Sequence, residues 1–73
     1  MKEPLRKLLF IGLKAAGSYD PEAVLPHIEE CLTATESEVV QAFLRWCHEN
    51  NRTFGRANLD IRFREFQGSE MRL

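Results

Sequence analysis

The sequence predicts a mainly α-helical fold, a small three-helix domain followed by an irregular C-terminal arm that is open to a strand-like or flexible conformation. Apolar residues recur at three- and four-residue spacing in two long segments, and residues that favour helix starts precede the apolar segments. A chain of 73 residues also has room for only one small core. We therefore predict a helical domain over residues 1–55 and a basic arm over residues 56–73.

The first predicted helix covers residues 4–16. Pro4 fits the first turn, where no helical hydrogen bond needs its missing amide, and Gly17 fits the left-handed position that ends many helices. The predicted buried stripe comprises Leu5, Leu8, Leu9, Gly12, Leu13 and Ala16. The basic residues expected toward solvent are Lys2, Arg6, Lys7 and Lys14.

The second predicted helix opens with Asp20 and Pro21, an N-cap residue followed by a first-turn proline. Pro26 leaves two alternatives, because it lacks the amide that would bond back to Glu22 and its ring crowds that turn. Either a single turn precedes a short helix that starts at Pro26, or one kinked helix spans residues 21–32. The apolar face is the same in both cases: Leu25, Ile28 and Leu32.

The third predicted helix extends to about Glu49 and should form the centre of the core. Two capping boxes compete at its start, Thr35 with Glu38 and Thr33 with Glu36. A wide apolar face follows, made of Val39, Val40, Phe43, Leu44, Trp46 and Cys47.

The segment after this helix fits two conformations. As a strand, it places Leu59, Ile61 and Phe63 on one face. As a helix, it aligns Leu59, Phe63 and Phe66 at i, i+4 and i+7. The apolar pattern does not decide between the two.

The same region carries the candidate partner-binding residues. Arginine combined with aromatic side chains is the composition enriched at protein-binding hot spots, because the guanidinium pairs with carboxylates and stacks on rings. The candidates are Arg52, Phe54, Arg56, Arg62 and Arg64. The structural alternative is that the phenylalanines complete a thin core and the arginines keep the chain soluble. The two interpretations are compatible.

Charge is segregated along the chain. The net charge is +3 over residues 1–19, −6 over residues 20–50 and +2 over residues 51–73, for a total of −1. Basic ends and an acidic middle favour docking on a partner of complementary charge.

Several functional classes find no support in the residues. The chain shows no glycine-rich phosphate loop, no nucleophile motif and no apolar segment of about 20 residues, so we predict no enzyme activity, no small-molecule substrate, no cofactor and no membrane contact. His27, Cys31, Cys47 and His48 form a conceivable zinc set, but Cys47 and His48 are neighbours on a helix and diverge by roughly 100°. We predict no metal site and a cytoplasmic protein with reduced thiols.

The second and third helices have the outline of a helix-turn-helix. Glu36 and Glu38 would then face the DNA phosphates, and duplex affinity depends on cationic neutralisation. The alternative function is therefore a small helix-turn-helix-like DNA-binding repressor that uses a basic C-terminal wing.

The chain, of which the first 51 residues read MKEPLRKLLFIGLKAAGSYDPEAVLPHIEECLTATESEVVQAFLRWCHENN, resembles the small RNA-polymerase-binding transcription regulators of lytic Xanthomonas bacteriophages. The resemblance lies in chain length, opening residues and overall texture. It implies a non-catalytic protein of the host bacterial cytoplasm that binds bacterial RNA polymerase. The segregated charge, independently, would allow one face to dock on protein and another to lie near nucleic acid beside the polymerase. Such a protein inhibits initiation by interfering with specificity-factor engagement and permits read-through of terminators. The resemblance identifies no contact residues.

Overall fold

The computed structural model describes residues 2–70, and helices account for most of them. The elements are α1 (Glu3–Ala16), α2 (Pro21–Ile28), a 3₁₀ turn (Glu29–Cys31), α3 (Ala34–Glu49) and α4 (Leu59–Glu70). The mainly α-helical fold class and the three predicted helices are confirmed. Residues 71–73 of the predicted arm lie outside the described residues.

Helix α1 has proline in its first turn and ends at Ala16, with Gly17 as its C-terminal cap. Gly17 adopts φ 66°, and its N–H donates to the Leu13 carbonyl at 2.8 Å. Only glycine adopts this left-handed conformation at no steric cost, which explains the helix end. Leu9 and Gly12 of the predicted stripe are buried, and Leu5 is half-buried against the core.

Helix α2 passes through Pro26 without interruption and ends at Ile28. The Asp20 carboxylate accepts the N–H of Glu22 at 3.0 Å, as expected of an N-cap. Because Glu22 and Pro26 are both exposed, solvent can satisfy the carbonyl that the proline leaves without an amide. The helix is shorter than the predicted 21–32 alternative, since a 3₁₀ turn follows, and it does not start at Pro26.

Helix α3 starts at the Thr33 capping box and provides the centre of the core. Thr33 Oγ1 accepts the Glu36 N–H at 3.1 Å, and Glu36 Oε1 accepts the Thr33 N–H at 2.9 Å. The competing box at Thr35 does not form. The buried residues of this helix are Val40, Phe43, Leu44 and Cys47.

The predicted irregular arm contains a fourth helix, α4. Leu59 and Phe66 are buried, and the Phe63 and Phe66 rings lie 5.3 and 5.4 Å from the Phe43 ring, centroid to centroid. A strand would direct Ile61 inward with Leu59, whereas Ile61 is exposed in the helix. The helix is therefore the conformation that brings all three apolar residues of the i, i+4, i+7 row to the core.

The connection between α3 and α4 is held by polar contacts to its backbone. The Tyr19 hydroxyl donates to the Phe54 carbonyl at 2.8 Å and accepts the Phe54 N–H at 3.2 Å. Asn58 Oδ1 accepts the Gly55 N–H at 2.6 Å. Phe54 and Leu59, on either side of the predicted boundary after residue 55, pack in one core cluster with Leu9.

Over residues 2–70, none of the helices combines the length and the apolar character that a bilayer crossing requires.

Candidate binding groove on the first helix

The five predicted binding residues occupy different environments. Arg52, Arg56 and Arg64 are exposed, Arg62 is half-buried and Phe54 is buried. Arg52 lines a groove with Cys47 and His48, whereas Arg56 lines grooves against α1. The structure brings Phe54 and Arg56 together in one groove and places Arg52 in another.

Two of the five make contacts that support the fold. Arg62 Nε donates to the Thr53 carbonyl at 3.0 Å, and its Nη1 pairs with Glu65 at 2.6 Å, so that this side chain ties the connection to α4. The Phe54 ring stacks on the Phe43 ring at 5.3 Å. For these residues the structural alternative accounts for the observed contacts, and partner contact stays a prediction.

Arg56 belongs to a groove that runs along one side of α1. The groove has a volume of about 610 Å³. Its lining residues are Glu3, Arg6, Lys7, Phe10, Ile11, Lys14 and Arg56. Six of them repeat at three- and four-residue spacing, which places them on one helix face beside the buried stripe.

The floor of the groove is apolar. Ile11 is 57% exposed, and its neighbour Phe10 is half-buried. The Phe10 ring meets the Phe54 ring edge-on at 6.0 Å, and the Arg56 guanidinium lies 5.9 Å from the Phe10 centroid. Phe54, one of the predicted residues, thus supports the floor from beneath.

The cations around this floor differ in how they are compensated. Arg6 Nη2 donates to both Asp60 carboxylate oxygens at 2.6 and 2.7 Å, and its Nε lies 3.7 Å from a Glu3 oxygen. By contrast, Lys7, Lys14 and Arg56 make no ion pair with any residue whose side chain the structure describes. Three positive charges around the groove therefore have no ion-pair partner among the side chains that the structure describes.

The contact between Arg6 and Asp60 also changes the pKa of the Asp60 carboxyl. The hydrogen bond from Arg6 lowers the pKa of the Asp60 carboxyl, and the charge of Arg6 acts in the same direction. Asp60 therefore stays ionised and holds the first turn of α4 against α1. Because Arg6 is paired with Asp60, it supports the wall of the groove and adds little uncompensated charge to it.

The basic and apolar surface continues past the end of α1. A second groove of about 460 Å³ shares Phe10, Lys14 and Arg56 with the first and extends to Gly17 and Tyr19. Phe10 and Arg56 are therefore central to one continuous surface.

Phe10 and Ile11 were not among the surface residues predicted from the sequence. Of the stripe predicted to be buried in α1, Leu9 and Gly12 are buried and the other four residues are half-buried. A second row at the same spacing lies beside it: Lys7, Phe10, Ile11 and Lys14. An apolar pair between lysines on the solvent side of an amphipathic helix was the available signal.

The conceivable zinc ligands do not form a site. Cys47 is buried, and desolvation raises the pKa of its thiol to about 12, whereas Cys31, His27 and His48 are exposed. Among the side chains that the structure describes, no three His, Cys, Asp or Glu residues are grouped to hold a metal ion.

The start of α3 is acidic in the folded protein as well. Glu36 is held by the capping box, and Glu38 is exposed. Both carboxylates lie in the part of the helix that a helix-turn-helix protein presents to DNA, where they would repel phosphates.

Comparison of the chain with known protein families, with curated proteins and with solved structures finds no match.

Proposed function

We propose that this protein is a phage-encoded transcription regulator that binds bacterial RNA polymerase in the host cytoplasm. It inhibits initiation by interfering with specificity-factor engagement, and it permits read-through of terminators. The observation that carries the proposal is the groove on α1, where an apolar floor lies among three cations that form no ion pair with the described side chains. Such a surface is typical of a protein-binding module.

The polymerase is proposed as the partner on the resemblance of the chain to phage regulators of this enzyme. The charge distribution supports the same assignment. Polymerase offers acidic and basic surfaces near its nucleic-acid channels, and a small domain with segregated charge is steered toward complementary patches. Contact with nucleic acid beside the polymerase is compatible with the basic ends of the chain.

Co-elution with purified polymerase tests the proposal. Core enzyme and holoenzyme are each mixed with the protein at moderate salt and separated by size. We expect co-elution with polymerase, together with fewer initiated transcripts and more read-through at a terminator. Failure to co-elute with either form contradicts the proposal.

The competing hypothesis is a DNA-binding repressor, which DNA-binding measurements distinguish from a polymerase-binding regulator. It predicts duplex affinity in the absence of polymerase, falling steeply with salt. Arg56→Glu and Arg64→Glu are suitable variants because both side chains are exposed, whereas Arg62 supports the fold. If a charge reversal weakens duplex binding and leaves polymerase binding unchanged, the repressor explains the surface better.

A further inference from the structure

We infer that the α1 groove is a docking surface for an acidic amphipathic helix of a protein partner. On the proposed function, on which this assignment of the partner rests, the helix belongs to the transcription machinery. The groove itself is defined by the side chains along α1 and by Arg56.

Charge complementarity specifies the sign of the partner. Lys7, Lys14 and Arg56 surround the floor without an intramolecular ion pair among the described side chains, and Arg6 is already paired with Asp60. A carboxylate on the partner gains attraction from these three cations, whereas a cationic segment is repelled. The occupant is therefore acidic.

The apolar floor specifies the second property of the partner. Ile11 remains 57% exposed and adjoins Phe10, which packs on Phe54. Covering Ile11 and Phe10 removes apolar surface from water and supplies the anchor that a hot spot needs. A purely polar acidic segment leaves this surface uncovered, so the occupant also carries an apolar row.

The dimensions of the groove match a short helix. The row from Glu3 to Lys14 extends roughly 16 Å along α1, which is about three helical turns. An amphipathic helix that places apolar residues at i, i+4 and i+7 against such a groove is a common mode of recognition. About 12 residues are enough to fill it.

Nucleic acid fits this surface less well. Ile11 offers no aromatic plane for base stacking and adds nothing to phosphate binding. The Phe10 ring beside it is half-buried, and the Arg56 guanidinium already lies over that ring, 5.9 Å from its centroid. The apolar side chains at the centre of the groove therefore favour a protein helix over a duplex or a single strand.

A designed peptide tests the groove independently of the polymerase. The probe has about 12 residues, with leucine at i, i+4 and i+7 and with glutamate and alanine elsewhere. A matched peptide carries lysine in place of glutamate. In titrations of the ¹⁵N-labelled protein, we expect the acidic peptide to shift amide signals of residues 6–14 and 56, and the lysine peptide to leave them unchanged.

Three outcomes of the peptide titrations overturn the inference. They are no shift with the acidic peptide, equal shifts with the lysine peptide, and shifts confined to other surfaces. Larger groove shifts with a DNA duplex of similar charge also overturn it, because the groove is then a nucleic-acid site.

A pair of isoleucine variants tests the same surface in the polymerase complex. Ile11→Asp places a carboxylate in the groove, while Ile61→Asp makes the same change at a side chain of matched exposure (57% and 58%) outside the groove lining. We expect Ile11→Asp to weaken polymerase binding by at least about tenfold and Ile61→Asp to leave it unchanged. Circular dichroism of both variants confirms that they remain folded.

The two experiments separate this inference from the proposed function. If polymerase binds the wild type and both variants equally, the function stands and the inference is wrong. If polymerase does not bind the wild type, the proposed function is wrong and the peptide titration alone decides the inference.

Discussion

At Gly12, α1 and α2 pack so closely that no larger side chain fits without a shift. A Cβ atom there would lie 2.9 Å from Val24 Cγ1 and 3.2 Å from Ile28 Cγ2. Val24 and Ile28 are both buried and β-branched, so neither side chain moves away easily. Glycine at this position is therefore a packing requirement, although it weakens the helix on its own.

Gly12→Ala should lower the free energy of unfolding by about 1–2 kcal/mol, because the overpacking exceeds the gain in helix propensity. Urea denaturation measures the change. The control is Gly68→Ala in α4, where a Cβ meets nothing within 4 Å and stability should stay constant or rise slightly. A more stable Gly12→Ala variant would contradict the close packing.

The two cysteines should differ sharply in reactivity. Cys31 is exposed, whereas Cys47 is buried and desolvation raises the pKa of its thiol to about 12. Because the thiolate is the nucleophile, a disulfide reagent at pH 8 should modify one thiol quickly and the second only after denaturation. Cys31→Ser should remove the fast phase. Two fast thiols in the native protein would show that Cys47 is accessible.

At the scale of the elements, Phe43 joins α3 to the rest of the molecule. Its ring lies 5.3–5.4 Å from the rings of Phe54, Phe63 and Phe66, so one side chain of α3 contacts both the connection and α4. The apolar pattern of residues 39–47 is sufficient to place Phe43 in the core. It does not indicate which aromatic residues surround the ring.

Phe43→Ala should destabilise the protein by about 3–5 kcal/mol, a large part of the stability of a domain of this size. Thermal unfolding followed by circular dichroism measures the loss. A variant that shows no unfolding transition, because it is already unfolded, agrees with the same prediction. Ile61→Ala, at an exposed apolar position, serves as the control and should change little. An unchanged melting temperature for Phe43→Ala would refute the core assignment.

The helices differ in how well local sequence specifies them. Helices α1 and α3 combine clear periodicity with terminal residues of the expected chemistry, Gly17 and Thr33. The sequence predicted both ends of α1 to within a residue, whereas it left the start of α3 open between Thr33 and Thr35. The residues of α4 fit a strand equally well. Its conformation depends on the distant Phe43 ring, which no local pattern reveals.

At the scale of the whole molecule, the Arg6–Asp60 pair joins the first helix to the last. Residues 54 positions apart meet at 2.6 Å, and one of the two, Arg6, lines the groove. The contact is exposed to solvent, so it contributes modestly to stability and chiefly fixes how α4 lies against α1.

This pair predicts sensitivity to acid. Because Arg6 lowers the folded-state pKa of Asp60 below its usual value of 3.8, the pair stabilises the protein fully above that value. The stabilisation is lost as the pH falls from about 4 through the lowered pKa. Asp60→Asn should therefore lower the free energy of unfolding at pH 7. Below pH 4 the variant should lose less stability than the wild type does.

Urea titrations at pH 7 and at pH values below 4 measure this difference, with Glu38→Gln as an exposed carboxylate control. Equal pH profiles for the wild type and Asp60→Asn would show that the contact does not persist in solution.

By itself, the sequence determined the helical class, both ends of α1, the C-terminal end of α3, the central core residues and the segregation of charge. These properties follow from spacing, capping chemistry and composition, which are local. Only the tertiary structure decided that residues 59–70 form a helix and that Arg62 supports the fold. It also placed Arg56 over Phe10, beside Ile11, because contacts between residues about 45 positions apart depend on how the helices pack.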